Sequence, residues 1–117
     1  NHNLLFRIAV KEVETWLLAD RSAFLKFIGI GGELIPEKVE SIENPKTFLI
    51  DIVKRSRKRD LREDIVPPSG STRVQGPNYN GRLGDFVRNH WDPEKAKCYS
   101  DSLRRTIRVV SEFRPSF

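Results

Sequence analysis

The chain opens on a nearly continuous apolar run, Leu4, Leu5, Phe6, Ile8, Ala9 and Val10, interrupted only by Arg7. A short run rich in branched residues suits a strand covered on both faces. After Lys11 the spacing changes. Val13, Trp16, Leu17 and Asp20 fall at i, i+3, i+4 and i+7, a helical face. A second helical stretch is expected from Arg21 to about Ile28, with Ala23, Phe24, Phe27 and Ile28 inward. Asp20 stands at its N-cap position, and Gly29, Gly31 and Gly32 punctuate its end. Pro36 and the polar residues from Glu37 to Glu43 read as a surface connection.

Asn44 followed by Pro45 marks the next helix, because a proline at the first helical position gives up no hydrogen bond. With Phe48, Leu49, Ile52 and Val53 as its inner face, this helix is expected over residues 45–59. A basic loop over 60–80 follows. Its stretch from Pro67 to Gly81 lacks any period, and so long an aperiodic segment in a compact domain is usually a binding loop or a disordered one. The remainder, 81–113, reads as helical. Asn80 caps a helix to His90 with Leu83, Phe86, Val87 and Trp91 inward, and Asp92 with Pro93 opens a short helix to about Cys98. Ser100 or Asp101 caps the last helix, which turns Leu103, Ile107, Val110 and Phe113 inward and Arg104, Arg105 and Arg108 outward. The pattern predicts one domain, or a fragment of one, of α/β class: a strand-helix unit at 3–28, one strand in all, and about five helices. A lone strand has no ladder of its own, so its partners are expected upstream.

Charge narrows the partners. Twenty-one Lys and Arg against sixteen Asp and Glu leave a net charge of +5, which favours an anionic partner, nucleic acid foremost, although an ordinary charged surface gives the same count. The single Cys98 cannot form an intramolecular disulfide, which points to a reducing, cytoplasmic setting. No apolar run approaches the ~20 residues that span a bilayer, so no membrane partner is expected. His2 and His90, with one Cys, do not make a zinc constellation, and neither a GxGxxG nor a P-loop pattern is present.

Two groups of residues could carry chemistry. Glu12 and Glu14, where the strand would hand over to the helix, are candidate catalytic acids and, with Asp20, candidate ligands for Mg²⁺, which is held by a few carboxylate oxygens together with substrate phosphates. Dipole stabilisation of a helix's first turn and N-capping are the structural alternatives for the same acids. Residues two apart diverge on a helix, so both glutamates face one pocket only if Glu12 is still in the turn. The second group is basic. Six of the nine residues from Lys54 to Arg62 are cations, more than a helix C-terminus needs. Arg55, Arg57, Arg59, Arg62, Arg73 and Arg82 could hold phosphates through bidentate donors, with Asn80 as a polar contact and Tyr79 as a stacking face.

The segment FRIAVKEVETWLLAD resembles the "E-hydrophobic-E-A-x-L-x-x-D" stretch of a bacterial family with a Toprim-like core, related to the overcoming-lysogenization-defect nucleases. Glu12, Glu14 and Asp20 match its three acids. REDIVPPSGSTRVQGPNYNGRLGDFVRNHWDPEKA, with SLRR at Ser102–Arg105, is similar to the C-terminal part of the same proteins. The resemblance implies the helix-rich C-terminal part of a Toprim-like α/β domain. In it, acids would bind Mg²⁺ and drive phosphodiester cleavage, often in defence against phage and compatible with a partner ATPase. The strand-ending Glu and Asp-x-Asp pair of a complete Toprim domain are not in these 117 residues and are expected in an N-terminal half of the same chain. The alternative is a non-catalytic module of a larger complex that binds nucleic acid or a partner protein.

Overall fold

The computed structural model describes residues 13–112, and every regular element among them is helical. Helix α1 covers residues 13–19 and leads at once into α2, Arg21–Ile28. A single 3₁₀ turn at Val39–Ser41 precedes α3, Pro45–Val53. Then come α4, Arg59–Ile65, and α5, Tyr79–Asn89. The short α6, Pro93–Ala96, and the longer α7, Asp101–Glu112, complete the chain. The expected α/β class is therefore corrected: there is no strand among the described residues. The strand expected at Leu4–Val10 lies outside them.

The reason is visible in the packing. The apolar side chains of α1 to α5 close on one another and need no sheet to cover them. Leu18, Phe24, Ile28, Ile35, Val39, Leu49, Val53, Ile65 and Phe86 form a continuous, fully buried core. Phe86 meets the edge of Phe24 at 5.2 Å between centroids and 89° between planes, a favoured aromatic geometry. Helix α1 is covered on most sides: Thr15, Leu17, Leu18 and Ala19 are all buried, the mark of a central helix rather than a surface one. Val13, placed inward by its spacing, is instead 41% exposed at the helix start.

Two chain reversals shape the surface beside this core. Helix α2 ends on Gly29 at φ 72°, with Gly29 N–H donating to Lys26 O and Ile30 N–H to Leu25 O, a Schellman end that only a glycine takes without strain. The next two carbonyls, Phe27 O and Ile28 O, are reached from across the fold by Lys58 Nζ at 2.8 Å and Ser56 Oγ at 2.6 Å. Helix α3 must stop at Val53 to deliver those groups, so the helix expected over 45–59 is in fact two helices joined by a turn at 54–58. Ser56 is the hub of that turn. It is 3% exposed, its hydroxyl also accepts Lys58 N–H at 3.0 Å, and its carbonyl accepts the Arg62 guanidinium.

The expected loop over 60–80 is likewise shorter, since 59–65 is helical. Helix α4 ends at Val66, whose extended backbone is what a following proline enforces. The loop then turns at Gly70, with Ser71 N–H on Pro68 O, and returns to α4. There Gly76 N–H donates to Ile65 O and Asn78 N–H to Asp64 O, at 2.8 and 3.0 Å, satisfying last-turn carbonyls that would otherwise be orphaned. The approach is so close that a Cβ at residue 76 would collide with the backbone of Asp64 and Ile65.

Candidate nucleic-acid interface

Of the three candidate acids, Glu12 lies outside the described residues. Glu14 is half-buried on α1 and its Oε1 accepts the Tyr79 hydroxyl at 3.2 Å. Asp20 is 2% exposed and makes no side-chain cap for α2; its Oδ2 accepts Asp92 N–H at 2.9 Å, tying the end of α1 to the start of α6. The two carboxylates stand at opposite ends of α1, a rise of ~9 Å for six residues, and each serves an internal hydrogen bond. As a donor set they do not fit a divalent cation, and no cluster of three or more metal-ligating side chains occurs among the described residues.

Tyr79, expected as a stacking platform, is 3% exposed. Burial, together with the charge and hydrogen bond of Glu14, pushes its hydroxyl far above the ordinary tyrosine range, which keeps it a neutral donor. Lys46 Nζ sits 5.0 Å from the ring centroid and covers it further. Asn80 is exposed in the first turn of α5; the N-cap position belongs to Asn78, which makes no side-chain cap.

The arginines divide into three settings. Arg62 donates through Nη1 to Ser56 O and lies beside an apolar depression lined by Val66, Pro67, Pro68 and Pro77, apart from the other two. Arg55, Arg57 and Arg73 are exposed and have no ion-pair partner among the described residues. Arg59 and Arg82, 23 positions apart in sequence, are brought to one open groove of about 500 Å³ with Lys58, His90, Phe27 and Asp60. The groove lies where the C-terminal end of α2, the N-terminal end of α4 and the outer side of α5 meet.

Among the described residues, each arginine in the groove uses only its Nε: Arg59 on Glu63 Oε1 at 3.0 Å, and Arg82 on Asp64 Oδ2 at 2.6 Å. A guanidinium carries five N–H donors, and the Nη groups of both have no acceptor among the described residues. The Asp64–Arg82 pair is the more sheltered, with about a third of each side chain exposed, and fixes Arg82 against the loop return. Arg59 is 81% exposed and its pair contributes little to stability. Phe27 and His90 form the aromatic floor, 5.6 Å apart, and the His90 ring also stacks on buried Phe86 at 6.4 Å and 22°.

Sequence reasoning does not single out Lys58, His90 or Phe27 as site residues. Phe27 has the spacing of core, and His90 the position of a helix end. The usable signal is that Lys58 belongs to the basic run. Nothing local brings residues 27 and 90 to it, because Phe27 meets Lys58 through the trans-capping of α2 and His90 joins them through its packing on Phe27 and Phe86. No helix among the described residues is long and apolar enough to cross a membrane. No family model, characterised protein or solved structure matches the chain.

Proposed function

We propose that this chain is a nucleic-acid-binding module, held to the phosphate backbone by the groove of Lys58, Arg59 and Arg82 and by the neighbouring exposed Arg55 and Arg57. The observation that carries this reading is the pair of guanidinium groups from two helices that meet in one open groove, each with Nη donors unused among the described residues. Phosphate oxygens are the acceptors that such forks match best. The net charge of +5 supplies the long-range attraction, and the free Cys98 suits a cytoplasmic setting.

The metal-dependent nuclease reading receives no comparable support. Glu14 and Asp20 hold internal hydrogen bonds, and Glu12 is outside the described residues. The two readings separate in one experiment. Binding of a fluorescein-labelled 20-nucleotide strand, followed by anisotropy, is expected to weaken steeply with salt. Phosphate contacts from the five cations correspond to a slope of about −3.5 in log K against log salt on a single strand. EDTA leaves that binding unchanged on the module reading. Absence of salt-dependent binding would remove the proposal, and Mg²⁺-dependent nicking of plasmid that Glu14→Ala abolishes would restore the nuclease in its place.

A further inference from the structure

The module reading says only that an anionic backbone is held. The groove itself is more specific. We infer that it takes an unpaired base together with its phosphate, so that the preferred ligand is single-stranded nucleic acid; this rests on the backbone-binding proposal.

Three observations lead there. The groove has an aromatic floor as well as a cationic rim: His90 is exposed, with its ring stacked over Phe86, and Phe27 lines the same groove. A duplex offers the rim its phosphates but keeps its base faces stacked inside, where that floor cannot reach them. At about 500 Å³ the groove has the scale of a small-ligand site and suits a single nucleotide rather than the width of a helix. Finally, Arg59 stands at the start of α4 and Arg82 one turn into α5, on two different walls, which suits a strand crossing the groove with its base turned inward. Lys58 is committed to Phe27 O through one of its donors, so it steadies the floor while keeping its charge at the rim.

The test compares three labelled probes of equal length: a base-bearing single strand, the same strand made abasic with an identical phosphate count, and the corresponding duplex, whose doubled charge is corrected for by its own salt slope. The base-bearing strand is expected to bind roughly five-fold or more tightly than the abasic one, the lower end of what stacking one base contributes. A strand carrying 2-aminopurine should lose fluorescence on binding the unaltered protein, a readout that needs no variant. His90→Ala is expected to remove the preference and His90→Phe to keep it, with thermal melting of both checking that they fold. Equal binding of all three probes, or no change in 2-aminopurine emission, overturns the inference and leaves the backbone-binding proposal standing. Retention of the preference in folded His90→Ala also overturns it. Failure of all three probes to bind overturns the proposal itself.

Discussion

Two polar clusters in this molecule join separate segments of chain, four at one and three at the other, and they differ in how their charged groups are used. At the first, Glu40 reaches from the 3₁₀ turn to the start of α7. Its Oε1 accepts both the Ser100 hydroxyl and Ser102 N–H at 2.8 Å, Trp16 Nε1 donates to Ser102 Oγ at 3.0 Å, and Trp91 Nε1 donates to Trp16 O at 3.0 Å. At the second, the groove of Lys58, Arg59 and Arg82, only part of each cation's donor set is used among the described residues. The first spends Glu40 Oε1, the serine hydroxyls and both indole N–H groups on protein partners and acts as a joint. The second is open and can take a ligand. Residue type alone does not distinguish the two; what does is how far the charged groups are already engaged across the fold.

The turn at Ser56 belongs to both kinds at once, so it is the place to break the distinction. Its hydroxyl satisfies Ile28 O and orders Lys58, while Arg57 beside it is exposed. Ser56→Ala leaves a buried carbonyl without its donor, and the expected cost is about 2 kcal/mol in urea unfolding. Lys58 would lose its position too, so nucleic-acid affinity should fall along with stability. An Ala variant as stable as the parent would show that this hydroxyl does not hold the end of α2.

That turn also explains how much could be read from the sequence. Helix α2 was legible to its last residue, because Phe24 and Ile28 at helical spacing and a glycine after them are local signals. The start of α3 was equally plain, with Asn44 Oδ1 accepting Thr47 N–H ahead of Pro45. The break at 54–58 was not legible. Its polar residues carry on a helix-compatible pattern, and what stops the helix is a demand from α2, 28 residues away in sequence. The α/β class failed for a related reason: the helices cover one another, a property of the assembled layers and not of any one stretch. Among the candidate site residues, Arg59 and Arg82 were picked by type, and the fold places them in one groove. Tyr79 and Asp20 have the right chemistry but are occupied inside the fold.

Glu40 sharpens the comparison from the closed side. Partial burial alone would raise its pKa, but hydrogen bonds from Ser102 N–H and the hydroxyls of Ser100 and Ser102, together with the charge of Arg105, outweigh that and hold the carboxyl below its ordinary value. A folded value below the unfolded one means that the folded state favours the ionised form. The contribution is complete above the ordinary glutamate range near pH ~4.3 and is lost as pH falls through the lowered value. The carboxylate also serves as a cap, delivered from another part of the chain, for the first turn of α7, and losing a cap costs about 1 kcal/mol. Glu40→Gln is therefore expected to lower the melting temperature at pH 7 by a few degrees and to shrink the further loss on going to pH 3. Parallel melting curves for the two proteins across that range would separate this acid from the acid sensitivity of α7.

The smallest effect on folding is expected on the open side. Arg57 is exposed in the 54–58 turn, with no ion-pair partner among the described residues, so Arg57→Ala should change unfolding free energy by no more than about 0.5 kcal/mol. If Arg57 touches a phosphate, the salt slope for the labelled strand should fall by about 1, with weakening that is uniform across sequences. Arg55→Ala tests the neighbouring position in the same way, and the two together should be additive because each contact neutralises its own phosphate. An unchanged slope in both would confine the ligand to the groove itself, whereas a large loss of stability would place Arg57 with Ser56 among the groups that hold the turn together.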